Sequence, residues 1–405
     1  MSRDRDAAGR YLLLLLGGGS YFCLMFVWFS LPAHLSPVID DLGLTSTQAG
    51  VLTGAVPLTY IPLGLASGVL IDRVGPRRGI GTAVALFGAG HVLRAGATGF
   101  WTMLLWTLLV GVGATGITFG LPKLVADLFP AERVGTASSV YLLGSYLGTA
   151  TAFGVGRPVL GPLLGGWRAL FLASGVVALG YAVLWGAVAA WTARRGVATP
   201  AAGASADGDG QSLRADLTAV VTNRSMALLV VVGTMYLFVT HGLQGWVVTI
   251  FESRGASAAV AGAVASVFVG AQIGGTLVVP SLAERRERRR EGVVACGVAC
   301  TLGAVGLLTL DAGGWLAAAP LVLVGIGVGG LAPLIRALPV ELDGIGPRLT
   351  ATAVGLVFTV GEVGGFLGPA LVGAIRDATG SFAGGVALFA ACGAVVAAAG
   401  FALDL

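Results

Sequence analysis

Twelve stretches almost free of charge, each long enough to cross a lipid bilayer, follow one another along this chain of 405 residues. They lie near 11–39, 46–71, 79–98, 101–127, 135–157, 167–193, 225–251, 257–283, 292–310, 314–341, 349–376 and 381–403. A helix needs about 20 residues to span the hydrocarbon. Only 11% of the residues are charged and 56% are hydrophobic, so a soluble fold of this size could not cover its surface with polar groups. That balance excludes a cytosolic enzyme, a secreted disulfide scaffold, a disordered protein and a nucleic-acid-binding module. An all-α membrane protein is expected. The first stretch is too long for a signal-peptide core and no small-residue cleavage site follows it, so it is expected to remain as a membrane helix.

The charged minority sorts by position. With the N-terminus inside, the inner segments hold seventeen arginines and the outer ones only Arg157, Arg168, Arg254 and Arg376. This positive-inside bias predicts cytoplasmic termini and a multi-pass protein of the cell membrane. The four cysteines, Cys23, Cys296, Cys300 and Cys392, stand in apolar stretches and read as small hydrophobes. The three histidines form no HExxH or HxxxxD cluster, so the residues give an enzyme no nucleophile with a base and no metal site, and no cofactor is implied.

Between the sixth and seventh stretches, residues 194–224 are polar and rich in Gly, Ala, Ser and Asp. They read as a cytoplasmic linker between an N-terminal six-helix bundle, 1–193, and a C-terminal one, 225–405. The halves repeat. A shift of 212 lays Asp72 on Glu284, Arg73 on Arg285, Arg77 and Arg78 on Arg289 and Arg290, and Tyr60 on Gln272. A shift of 214 lays VGVG at 110–113 on VGIG at 324–327, Asp127 on Glu341 and Gly154 on Gly368. Parallel repeats of this kind fit a transporter whose two bundles rock about a midplane site.

The loop after the second stretch reads GLASGVLIDRVGPRRG from Gly64 to Gly79. Gly68, Asp72, Arg73, Gly75, Arg77 and Arg78 match G-x-x-x-D-R-x-G-R-R, with Pro76 inserted before the arginine pair. The chain thereby resembles the major facilitator superfamily, and from Trp28 to Arg78 it is similar to the nitrate/nitrite and cyanate porter branch. The resemblance implies twelve transmembrane helices in two six-helix bundles related by a pseudo-twofold axis. It also implies a conformational latch of Asp72, Arg73, Arg77, Arg78 and Asp127, repeated at Glu284 and Arg285, in which an acid meets a helix N-terminus and arginines reach an acid at the end of the fourth helix. Two departures matter. Thr107 stands where proton antiporters carry an arginine, and GPLLGG at 161–166 falls at the outer hairpin, not inside the fifth helix. The arginine and the Asn-containing glycine signatures of nitrate porters are missing: Tyr60 precedes Ile61-Pro62, and the chain has GSYLG and GEVGG.

In that architecture helices 1, 2, 4, 5, 7, 8, 10 and 11 line the cavity, and polar groups at mid-depth on them are candidates for the substrate. They include Tyr60, Tyr146, His241, Gln244, Gln272 and Glu362. Glu362 is the one acid between Leu349 and Ile375, roughly 18 Å from its helix's inner end at 1.5 Å per residue, and is a candidate proton or cation site. Tyr60 and Gln272 are matched across the repeat. Lys123, Arg157 and Arg336 give the lining helices a positive balance, which favours an anion; Arg94, on a scaffold helix, is set aside. The expected function is secondary transport of a small solute, an organic anion first and proton-coupled efflux of hydrophobic or cationic compounds second. The partners called for are that solute and the bilayer, and a monomer suffices.

Overall fold

A computed structural model of the chain describes residues 2–197, 218, 220–285, 288–310, 316, 318–342 and 344–403. Most of the 194–224 linker, with Arg214, and Arg286 of the inner arginines lie outside the described residues. Among those described, every regular element is helical. The twelve long helices are α1 (Ser2–Ala33), α2 (Ser46–Val74), α3 (Pro76–Ala95), α4 (Phe100–Leu128), α5 (Ala131–Thr151), α6 (Trp167–Arg194), α7 (Arg224–Ser253), α8 (Ala258–Arg285), α9 (Arg289–Thr309), α10 (Ala318–Ala337), α11 (Gly346–Thr379) and α12 (Ala383–Ala402). In hydrocarbon the backbone must satisfy its own polar groups, which a helix does and an open strand does not. α3 carries Arg77, Arg78 and Arg94, and α5 carries Glu132 and Arg133 in its first turn.

Turn chemistry sets the boundaries. Gly75 adopts φ 82° and Pro76 opens α3 at its first turn, so the proline inserted in the loop motif is a helix starter. Asn223 caps α7 by accepting from the Met226 amide at 3.0 Å. The stretch read as one span over 11–39 is divided: α1 ends at Ala33, His34 turns, and a short helix follows over Leu35–Leu42. The fifth helix departs further from expectation. It continues past Thr151 as a π-helix over Ala152–Leu160 and a last turn over Gly161–Leu164, and only Gly165 (φ 90°) and Gly166 (φ 127°) form the hairpin. GPLLGG is therefore split, its first four residues helical. Pro158 lies inside the π-segment, where the wider turn accommodates a ring that would clash with the preceding turn of an α-helix.

The contacts group the chain into two compact units. One holds the residues up to Leu42 with those from Pro62 to the linker; the other holds Gly43–Ile61 with the residues after the linker. Apolar side chains gain nothing by leaving lipid for protein, so helix pairs associate through close backbone packing at small residues. In the first unit a Cβ on Gly144 would stand 2.1 Å from the Gly18 carbonyl oxygen, and one on Gly148 would stand 2.4 Å from that of Phe22. The second unit repeats this between α7 and α11, where a Cβ on Gly364 or Gly368 would stand 2.2 Å from Thr234 O or 2.3 Å from Phe238 O.

The outer half of α2 is fastened inside the second unit. Thr45 and Gln48 form a reciprocal cap, Thr45 N to Gln48 Oε1 at 3.0 Å and Gln48 N to Thr45 Oγ1 at 3.1 Å. The two remaining amides of that first turn, Ser46 and Thr47, donate to the Asp377 carboxylate of α11 at 2.8 and 2.7 Å, and the Thr47 hydroxyl adds a third bond at 2.6 Å.

Replacing Gly368 by leucine should lower the thermal unfolding temperature of the purified protein, because the overpacking costs about 1–3 kcal/mol or more. Gly180→Ala, where an added Cβ meets nothing within 4 Å, should leave it unchanged or slightly raised; equal melting of the two variants would contradict the packing account.

Candidate functional site

The second unit gathers its intramembrane polar side chains along α7. His241 faces α11, where its Nε2 lies 3.8 Å from Glu362 Oε2, and both side chains are 13% exposed. Glu362 Oε2 has no hydrogen-bond donor among the described residues. Gly365 makes the room for this pair: a Cβ there would stand 2.6 Å from Glu362 Oε2, 3.0 Å from His241 Cδ2 and 3.2 Å from Pro57 Cβ on α2. An ionised carboxylate without a donor is costly in such surroundings, and a bound proton or a cation removes the cost. Three residues further along α7, Gln244 Nε2 donates to Gln272 Oε1 of α8 at 3.1 Å, with both residues buried. Tyr60, on the part of α2 that belongs to this unit, is also buried.

The remaining candidates are placed differently. Arg336, exposed near the end of α10, donates to Ala332 O at 2.8 Å and stacks its guanidinium 4.3 Å from the Phe358 ring of α11. Tyr146 on α5 and Arg157 in the π-segment are half-buried and belong to the first unit. Lys123, counted from the sequence among the cavity cations, pairs with Asp72 at 3.2 Å, so its charge is taken by the loop acid. Two buried tryptophans are packed within their own units: Trp28 lies against Phe29 with ring centroids 5.5 Å apart, and Trp246 Nε1 donates to Pro369 O at 2.9 Å.

The inner loops differ between the two units. In the first, Arg77 donates to Val197 O at 2.6 Å while Trp185 Nε1 holds the Arg77 carbonyl at 2.8 Å. Burial lowers the Arg77 pKa and the nearby charge of Asp127 raises it. Arg73, Arg78 and Arg285 are exposed and form no ion pair among the described residues. In the second unit Arg289 bridges two acids, hydrogen-bonding Glu341 in the 3-10 turn Leu338–Glu341 that follows α10 and lying 3.6 Å from Glu284. Arg289 and Glu341 stand outside the latch set expected from the sequence, although the repeat lays them on Arg77 and Asp127.

In the first unit a further charged residue stands outside the expected site. Arg94 is fully buried, with Nε donating to Thr107 Oγ1 at 3.1 Å and one terminal nitrogen to Val27 O at 3.2 Å. A guanidinium thus reaches the Thr107 level from α3. Its signal in the sequence is that Arg94 is the one charge in the 79–98 stretch.

Comparison with known proteins gives these findings. The Major Facilitator Superfamily matches residues 17–369. A putative tartrate transporter of Agrobacterium vitis is 28% identical over 86% of this chain and 82% of its own. The probable galactarate/D-glucarate transporter GudP of Bacillus subtilis is 26% identical over 89% of this chain and 84% of its own. A nitrate/nitrite transporter, NrtP of Picosynechococcus, is 27% identical over 44% of this chain and 38% of its own. Among solved structures, a bacterial homologue of the human lysosomal transporter Spinster superposes with a TM-score of 0.81 at 18% identity, covering 98% of each chain.

The Arg289 bridge is open to a double-mutant cycle. Arg289→Ala and Glu341→Ala should couple by about 1 kcal/mol in thermal or denaturant unfolding, and Arg289→Ala with Glu284→Ala by less. Additive effects at Glu341 would show that the bridge contributes nothing.

Proposed function

The chain belongs to the major facilitator superfamily of membrane transporters, and from that premise we propose that it carries a small organic anion across the membrane by alternating access, together with a proton. The observation that carries this reading is the Glu362 carboxyl set 3.8 Å from His241, with an oxygen that no described group serves. The relatives named for tartrate and for galactarate/D-glucarate, which align with most of the chain, support an anionic substrate. The substrate residues of the second unit are then Tyr60, His241, Gln272 and Glu362, with Arg336 as the nearby cation. The arginine bias supports cytoplasmic termini in the cell membrane.

The coupling follows from charge. An anion beside an ionised Glu362 is repelled, while a proton on the carboxyl removes that repulsion, so anion and proton bind together. By linkage, each must tighten the binding of the other by the same factor. The anion should therefore bind more tightly as pH falls.

Glu362→Gln keeps the shape and removes the titration. In proteoliposomes the wild-type protein should accumulate a dicarboxylate such as tartrate when an inward proton gradient is imposed. The variant should bind the anion with little pH dependence and equilibrate it without accumulation. Gradient-driven accumulation that survives Glu362→Gln would remove the proton from this residue, and uptake of cationic compounds alone would overturn the anion.

A further inference from the structure

Gln244 and Gln272 form one amide–amide hydrogen bond, and among the described residues it is the only bond either side-chain amide makes. That leaves the Gln272 NH2 as a donor and the Gln244 carbonyl oxygen as an acceptor, and neither is among the polar atoms sealed from solvent. Exchanging oxygen and nitrogen in both amides swaps which residue offers which group, but still leaves one NH2 and one carbonyl oxygen without a partner among the described residues. The pair therefore offers both an NH2 donor and a carbonyl acceptor whichever way it is read.

This combination discriminates among oxygen ligands. A carboxylate or nitrate oxygen only accepts, so it is welcomed by the amide N–H and repelled by the neighbouring carbonyl. A hydroxyl both donates and accepts, and satisfies both ends at once. Gln244 also stands three residues from His241 on the same helix, about 4.5 Å along its axis, within the length of one small hydroxy acid. Each amide fixes the other: without Gln244, the Gln272 side chain loses the one bond that orients it, and the converse holds for Gln244.

We propose that the Gln244–Gln272 pair is the specificity element of this transporter and reads a hydroxyl group of the substrate, which makes the substrate class a hydroxylated carboxylic acid and not a bare carboxylate or an inorganic oxyanion. This rests on the proposed function, because it assigns a role within the same second-unit site. A site built to hydrogen-bond a substrate hydroxyl rejects the analogue that lacks it, since the bound analogue displaces water from the two amides and gives them no partner in return.

Tartrate and succinate, four-carbon dicarboxylates that differ by two hydroxyl groups, provide the test. Binding to the purified full-length protein and uptake into proteoliposomes should favour tartrate over succinate by at least about tenfold. Gln272→Met, close in shape and without the amide, should weaken tartrate about tenfold and leave succinate unchanged, and Gln244→Met should act in the same direction. Thermal unfolding temperatures near wild type would confirm that the variants fold, and if one does not fold the other decides. Equal losses for both ligands, or no loss for either, would overturn the hydroxyl reading, as would a wild type indifferent to the hydroxyls. A wild type that takes neither dicarboxylate, while taking cationic compounds, would instead sink the anion transport on which the inference rests.

Discussion

Lipid offers the backbone no hydrogen-bonding partner and offers apolar side chains no reason to leave it. The first constraint makes every spanning element a helix; the second makes the helices cohere through backbone contact where side chains are missing. Gly144 and Gly148 in one unit and Gly364 and Gly368 in the other hold carbonyl oxygens at distances that leave no room for a methyl group. The α1–α5 and α7–α11 seams are two copies of one solution. The polar chemistry of the second unit depends on this closeness, because Gly365 on the α11 seam leaves the space in which Glu362 and His241 meet.

The same constraint sorts the buried polar groups. Arg94 is fully buried yet served by Thr107 and the Val27 carbonyl, which gives it a structural assignment in the first unit. Glu362 is incompletely served, and the free ends of the Gln244–Gln272 pair are unmatched within the described residues. That unmet capacity in the second unit is what the proposed solute and proton fill. Capacity met inside the fold, as by the two bonds of Arg94, holds the bundle together.

Much of this was legible in the residues. The twelve spans and the inner loop motif follow from where charge is absent and where it clusters, and Glu362, His241 and Gln272 each stand out because charge and amide groups are scarce in those stretches. What the chain order could not convey is partnership. Lys123 stands on a lining helix as a cavity cation would, and only the fold brings it within 3.2 Å of Asp72. Arg289 and Glu341 were aligned with latch residues by the repeat but lie 52 positions apart, so only packing shows that they join. The π-helix was hidden for a different reason: an apolar run with a proline reads alike whether its turns hold 3.6 residues or more.

The Asp377 clasp on the first turn of α2 has a consequence for how firmly that end is held. Its three bonds are made at an exposed edge, where water can take the place of either partner, so each contributes only about 0.5–1.5 kcal/mol net, somewhat more where the charge assists. Their sum is a few kcal/mol, the size that leaves an alternative arrangement populated at roughly 0.1–10%. The fastening is thus strong enough to choose a resting arrangement and weak enough for thermal motion to undo it without any input of chemical energy.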